Sequence, residues 1–506
     1  MSNHNSSKHA VVMGAGPAGM TAAYELSKHG IAATVLEKDP EYVGGIARTA
    51  QHNGYRFDIG GHRFFSKNQE VESLWTEILG DEMLTCARLS RIYYKGKYFA
   101  YPLKATNALM SLGPVETVRC MSSYAWARIT PIKNPRNLED WVRNQFGDRL
   151  FRIFFKTYTE KVWGISTSEL SADWAAQRIK GLDMTQVIKN ALLPKRKPKE
   201  RGEVIKTLID QFRYPRFGPG QLWEKVRDLL AERGHPVQMG QAVERVRHER
   251  GKVVALEVRD ASGTVRQVKG SDFVSSLPVR ELVLKLDPAP PEAVLEAARS
   301  LSYRDFFSVV LMIRRREVFP DNWIYIHEPG VLVGRMQNFK NWSRWMVPDE
   351  ETTCLGLEYF CFENDQLWSS TDDELIALGT RELVHLGMCE RNEVFDGAVV
   401  RQQKAYPVYD DVYLEHLATI REWLDANVTN LYLCGRNGMH KYNNQDHSML
   451  SALLVARNIA GVSNLDPWKV NADAEYHEEV RDGEQDLSGR RMPSRVKEQE
   501  PVGREH

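Results

Sequence analysis

His9-Ala10-Val11-Val12-Met13-Gly14-Ala15-Gly16-Pro17-Ala18-Gly19 opens the interpretable part of this chain, and its reading decides the fold. Five residues of strand length run into the G-x-G-x-x-G spacing. A helix is expected from Pro17 to His29, with Pro in its first turn, Ala22, Ala23 and Leu26 on its packing face, and Gly30 at its end. A second strand, Ala33 to Leu36, closes at Glu37. In this order the parts form a cradle for a dinucleotide. Gly14 allows the tight turn, Gly16 the close approach of a pyrophosphate, and Gly19 the packing of helix on strand. The helix N-terminus offers unpaired N–H groups to phosphate oxygens. Glu37 is placed to accept hydrogen bonds from ribose hydroxyls. Glycine spacing alone is weak evidence; strand, glycines, helix, strand and acid in sequence are much stronger.

A second glycine pair follows at once, in Gly44-Gly45-Ile46-Ala47-Arg48-Thr49. It resembles the G-G-x-x-R/S-T/S element of the flavoprotein superfamily that holds amine oxidases, protoporphyrinogen oxidases and UDP-galactopyranose mutases. The resemblance favours FAD over NAD as the dinucleotide.

Composition narrows the remaining choices. With 506 residues the chain can hold two or three domains. Lys plus Arg and Asp plus Glu are 67 each, so no broad field points to nucleic acid as partner. No apolar run approaches the 18 residues of a membrane span, and Met1 to Lys8 lack a signal-peptide core. Six cysteines without a C-x-x-C pair fit reduced thiols in a cytoplasmic protein and speak against a metal cluster.

Along the chain, Tyr55–Ser66 reads as a strand entering the Gly60-Gly61-His62 turn, where backbone can pass close to a flat ring. A helix carries Val71, Leu74, Trp75, Ile78 and Leu79. Residues 88–104 read as a hairpin turning at Lys95-Gly96. The region from Ala105 to about Lys206 reads as mainly helical, with Asn137 as a cap, a second helix after Gly147, and a capping-box spacing at Ser166 and Glu169. Lys195-Arg196-Lys197-Pro198-Lys199 is a basic run suited to a solvated loop or to attracting a diphosphate. From Pro236 to Pro278 the pattern is β, and Phe273–Pro278 is a buried strand able to rejoin the dinucleotide sheet. Strands are expected at Phe307–Ile313, Trp323–Ile326, Val331–Gln337 and Cys354–Phe360, and a helix over 372–388. Near the end, Leu431–Leu433 leads to Gly435 and Arg436, and a polar loop, Asn444–Ser448, precedes a helix from Met449 to Ala460. Beyond Asn471 a charged tail follows.

The expected architecture is α/β: a Rossmann-type FAD-binding domain (8–87, 236–300 and 428–462) interrupted by two others. These are a helical substrate lid (105–206) and an antiparallel β-sheet substrate domain (88–104, 207–235 and 301–427), with 471–506 as a disordered tail.

Gly60-Gly61-His62-Arg63-Phe64-Phe65-Ser66, Tyr158-Thr159-Glu160-Lys161-Val162-Trp163-Gly164, Phe212-Arg213-Tyr214-Pro215 and Asn444-Gln445-Asp446-His447-Ser448 occur in the order known for UDP-galactopyranose mutases. The chain resembles the longer eukaryotic-type members of that family. The resemblance implies an isomerase: reduced FAD attacks the anomeric carbon of a nucleoside-diphosphate sugar through N5, with no net redox change. It also implies roles for individual residues. Arg213 and Arg335 match diphosphate-binding arginines, and Tyr325, Tyr406 and Tyr442 match tyrosines of the same site. Trp163 and Asn444 match substrate-side residues, and His62 the histidine beside the flavin. Flavin contacts are implied at Gly14, Gly16, Ala18, Gly19, Glu37, Lys38, Gly45, Ala47, Arg48, Gly60, Gly61 and Val243, and again at Gly435, Arg436, Gln445, Asp446 and Ser448. Lys104 replaces the usual glutamine and Leu103 the usual phenylalanine, and the Tyr442–Asn444 spacing is shorter, so the sugar side departs from the family pattern. NADPH bound transiently in the same cleft would supply the reduction, and a homo-oligomer is compatible with the resemblance. The alternative is an FAD-dependent oxidoreductase of the amine oxidase or protoporphyrinogen oxidase type; the arginine–tyrosine set favours the isomerase.

Overall fold

The computed structural model describes residues 8–101, 103, 105–170, 211–410 and 412–470. Its first sheet has five parallel strands in the order Leu431–Leu433, Asp272–Ser275, His9–Met13, Ala32–Leu36 and Val237–Gln238. Helix Pro17–Lys28 follows the first strand and lies against the C-terminal helix Gln445–Ala460. Ala22, Ala23 and Leu26 are fully buried between them, as the helical spacing requires. A four-stranded sheet built on Ala242–Glu249, Lys252–Arg259 and Val265–Val268 joins a second core on the opposite side.

The second large sheet has seven strands. Their order is Val394–Pro407, Tyr303–Ile313, Thr353–Cys361, Arg335–Asn338, Trp323–Ile326, Ser90–Tyr94 and Lys97–Ala100. All neighbours are antiparallel except Trp323–Ile326 with Ser90–Tyr94. Tyr303–Ile313 and Thr353–Cys361 are buried on both faces. Helix Asp372–His385 covers one face, and the other looks toward the hairpin Thr49–His52/Tyr55–Asp58 and the Gly60–His62 loop. The 90–100 hairpin turns through Lys95 and Gly96, both with positive φ, as its two-residue loop requires.

Several expectations are corrected. Residues 207–235 are expected in the β-sheet substrate domain, yet helix Gly220–Glu232 within them buries Leu222, Trp223, Val226 and Leu230 in the core shared with helix Pro17–Lys28. Asn444–Ser448 is no loop: the helix begins at Gln445 with Asn444 as its N-cap. The strand expected from Val331 starts only at Arg335. Strand Val394–Pro407 and helix Tyr413–Asn427 were not foreseen. At Ser166 the hydroxyl accepts the Ser168 N–H, and the Glu169 N–H goes to the Ser166 carbonyl, so a turn stands where a capping box was expected. The described helices of the 105–206 region are Ala105–Leu112, Pro114–Ile129, Leu138–Phe151, broken at Gly147, and Thr157–Trp163 after a π-turn. Asn137 caps the third, accepting the Asp140 N–H. The basic run 195–199, Lys104 and the tail 471–506 lie outside the described residues. Among the described residues no helix is long and apolar enough to cross a membrane.

Candidate functional site

The dinucleotide cradle forms where the two glycine motifs meet. Gly14 has φ +97°, and a Cβ on Gly19 would stand 1.9 Å from the Gly14 carbonyl oxygen, so neither position accepts a side chain. A Cβ on Gly45 would come 3.3 Å from Gly16 Cα, so the second glycine pair faces the first. No side chain caps the N-terminus of helix Pro17–Lys28. Glu37 accepts from the backbone N–H groups of Ala15 (2.7 Å) and Asp39 (2.9 Å), and burial pushes its carboxyl above the usual range. The Glu37 carbonyl accepts from the Gln241 N–H at 2.7 Å, which brings buried Val243 to the same edge. Lys38 is exposed beside it. Ala47 is buried, and Arg48 donates to the Gly45 carbonyl (2.9 Å) and to Gln402 (2.7 Å).

The C-terminal motif closes the cradle. Gly435 has φ +80°, and a Cβ there would stand 2.7 Å from the Ala18 methyl. Asp446 accepts from the Ser66 hydroxyl at 3.0 Å, tying the C-terminal helix to the Gly60–Ser66 loop, and Ser448 is buried one turn in. Both amide atoms of Gln445 are buried with no hydrogen-bond partner, at the start of a 16-residue helix. Buried polar atoms rarely stay unmatched. Two helix N-termini, facing glycines and an unmatched amide fit a bound dinucleotide.

The face expected to be the substrate side is built by register. Tyr325 pairs with Arg335, and Arg335 with Glu358, across three neighbouring strands. Arg335 Nε lies 3.0 and 2.9 Å from the two Glu358 oxygens, and its Nη2 is 2.5 Å from Oε2. Gln337 donates to the same carboxylate at 2.9 Å. Glu358 is fully buried, and its charge holds the Arg335 guanidinium well above its ordinary pKa. The Gly60–Gly61 turn rests on this group: a Cβ on Gly61 would meet Gln337 at 2.8 Å, and one on Gly60 would be 3.8 Å from Arg335 Nη2. His62 Nε2 bonds the Ile59 carbonyl at 2.9 Å, and burial lowers its pKa to about 4, so the ring is neutral.

Aromatic rings surround this charge pair. Tyr406 stacks on Tyr442 (5.5 Å, 15°), and Trp163 lies 6.4 Å from Tyr442. Tyr158 meets Tyr325 edge-on at 5.4 Å and stacks on His327 at 4.9 Å. The Arg436 guanidinium stands over both Tyr406 (5.3 Å) and Tyr442 (5.2 Å) while donating to the carbonyls of Asn443 and Ala405. Burial raises Tyr406 to about 12, which keeps its hydroxyl a donor.

The structure therefore brings together His62, Trp163, Tyr325, Arg335, Tyr406, Tyr442 and Arg436. Arg213 stands apart from them. Its backbone pairs with Phe64, and its guanidinium is committed to Glu72 at 3.0 Å. Asn444 is occupied as an N-cap. Glu358, Gln337 and Tyr158 were missed. Glu358 carries a visible signal, being the only charge in the apolar run Cys354–Cys361.

Comparison with known proteins bears on the fold and on the family. The profile of the flavin containing amine oxidoreductases matches residues 17–460. A probable UDP-galactopyranose mutase of Klebsiella pneumoniae is 25% identical over 173 residues, which is 33% of this chain and 43% of that one. A putative flavin-containing monoamine oxidase of Mycobacterium tuberculosis is 26% identical over 300 residues, 56% of this chain and 60% of that one. The matched segments thus span less than two thirds of either relative. Among solved structures, reduced UDP-galactopyranose mutase superposes with a TM-score of 0.78 at 21% identity, covering 92% of this chain and 99% of that one. That last likeness is one of fold.

Proposed function

The chain belongs to the family of flavin containing amine oxidoreductases, for which FAD is the implied cofactor, and from that premise we propose a pyranose–furanose mutase acting on a nucleoside-diphosphate sugar. The observation that carries this reading is a guanidinium fixed by Glu358 among tyrosine side chains, beside the Gly60–His62 loop. Arg335 is held on its Nε side by Glu358, which leaves its other edge to meet an anion. Tyr325, Tyr406 and Tyr442 would donate to phosphate oxygens of a diphosphate that leaves and returns. Trp163 and the stacked tyrosines would keep water from the sugar once the diphosphate has left. Neutral His62 would lie against the ring system without adding charge. Bound FAD in its reduced form would supply a nucleophilic ring nitrogen; NADPH is the proposed transient reductant.

Charge argues against an amine substrate. The faces of Tyr406 and Tyr442, where an ammonium group would gain from the rings, already carry the Arg436 guanidinium. The relationship to the monoamine oxidase keeps an oxidoreductase as the competing reading. The test is anaerobic: reduce the holoprotein with dithionite, add UDP-galactopyranose or UDP-galactofuranose, and separate the products. Interconversion is expected. No interconversion across a panel of nucleotide sugars, with peroxide formed from another substrate in air, would overturn the proposal in favour of the oxidase.

A further inference from the structure

Arg304 is a buried cation outside every role assigned above. It lies on strand Tyr303–Ile313, in register with Tyr406, and is 4% exposed. Its Nε donates to the Val162 carbonyl at 3.0 Å, and its Nη2 to the carbonyls of Lys161 (3.4 Å) and Phe360 (2.9 Å). Its ion pair with Asp365 is long, at 4.0 Å, so main-chain carbonyls meet most of the charge. Two of these carbonyls close the last turn of helix Thr157–Trp163. That turn is the negative end of the helix dipole, and its carbonyls lack intrahelical partners.

Gly164 makes the contact possible. Its φ of +67° ends the helix, and a Cβ there would stand 2.4 Å from Arg304 Cζ. The guanidinium also covers the Phe362 ring at 4.1 Å. Lys161 ties the same turn to the sheet, donating to the carbonyls of Ile326, Glu328 and Val333 at 3.2, 2.8 and 3.2 Å. The helix ends in Trp163, which is 5% exposed and faces Tyr442; Tyr442 stacks on Tyr406, and Tyr406 pairs with Arg304. The contacts close a ring.

We propose that Arg304 is a positioning residue: it caps the end of Thr157–Trp163 and holds Trp163 against the Tyr406–Tyr442 pair, so that this wall of the cavity is set before a ligand enters. Carbonyl acceptors fix the helix end in direction as well as distance, which apolar packing alone would not. The role is independent of the reaction catalysed.

Fluorine NMR of the holoprotein labelled with 5-fluorotryptophan tests it. The Trp163 line is identified by its loss in Trp163→Phe. In Arg304→Met that line should move or split while the other tryptophan lines stay. An unmoved Trp163 line with only a lower melting temperature would make Arg304 a packing residue and overturn the proposal. If Arg304→Met does not fold, Gly164→Ala displaces the guanidinium without deleting it. The same shift is then expected, and its absence is equally fatal. No substrate is present, so the outcome is separable from that of the mutase assay.

Discussion

Replacing Arg335 tests the charge pair at the centre of the cavity, and the structure sets the size of the effect. Glu358 is fully buried and takes its hydrogen bonds from Arg335 and Gln337. Arg335→Met would leave a buried carboxylate with one amide donor. Removing one partner of a buried ion pair costs about 3–5 kcal/mol, whereas removing both partners together is near neutral. The Arg335 side chain retains 18% exposure, which places the expected loss at the lower end, about 3 kcal/mol. Arg335→Met combined with Glu358→Gln should recover most of it, giving a coupling of about 2–3 kcal/mol in a double-mutant cycle. Urea unfolding of the holoproteins, followed by circular dichroism and flavin fluorescence together, measures this. Arg335→Lys keeps a cation but loses the fork, and turnover should fall about 10- to 150-fold for a loss of about 1.5–3 kcal/mol in charge-assisted hydrogen bonding, with flavin content unchanged. A coupling below about 0.5 kcal/mol would refute the energetic reasoning. Loss of FAD in Arg335→Lys would refute the placement of this residue on the substrate side.

Gly19→Ala would drive a methyl into the Gly14 carbonyl at 1.9 Å, so the protein should purify without yellow colour; a normal flavin spectrum would show that strand and helix can part at no loss. Asp58 is buried against Tyr214 and Thr49, and its pKa rises from 3.8 to about 8. Because the folded pKa is raised, the stability Asp58 contributes is complete below about pH 3.8 and lost as pH rises through about 8. Asp58→Asn should therefore flatten the fall in stability across that window, and an unchanged slope in pH-dependent melting would exclude Asp58 as its source. UDP-galactose binding should not vary between pH 6 and 7.5, because His62 is neutral above about 4 and Tyr406 is protonated below about 12. A titration of flavin absorbance showing a midpoint in that range would mean that His62 is not held neutral.

Legibility in the sequence followed how local the determinants are. The Rossmann strand, glycines and helix are fixed by contacts within a few dozen residues, and they stand where the spacing put them. So do the 90–100 hairpin, with Lys95 and Gly96 at its turn, and the buried strand around Phe273. Residues 207–235 are expected in the β-sheet substrate domain, but within them helix Gly220–Glu232 packs in the core of helix Pro17–Lys28, a choice of neighbour that no local pattern states. Trp223 shows the difference: only the structure sets its ring against Gly44. Strand Val394–Pro407 went unread because its residues are mostly half-buried and mix charge with apolar residues, which blurs the two-residue period. In the site, Tyr325, Arg335 and Glu358 lie on three strands, and their adjacency depends on register, which no local pattern encodes. Arg213 was legible as an arginine in a motif, but its commitment to Glu72 arises from a helix more than a hundred residues away.

The charges in the cavity restrict how an anion can be held there. Among the described residues Arg335 and Glu358 cancel, and Arg436, although its donors serve two carbonyls, remains an uncompensated cation over the stacked tyrosines. A diphosphate bound as proposed would therefore meet, among the described residues of the cavity, one net positive charge together with several neutral donors. Strong attraction would slow a leaving group that must depart, whereas neutral hydroxyls gain little until oxygen charge develops at close range. Tyr406, kept protonated by burial, is such a donor. The arrangement suits a phosphate group that gains charge when the sugar bond breaks and loses it when the bond re-forms. Glu358 has a matching part in this, because it tempers Arg335 while holding its free edge in a fixed direction.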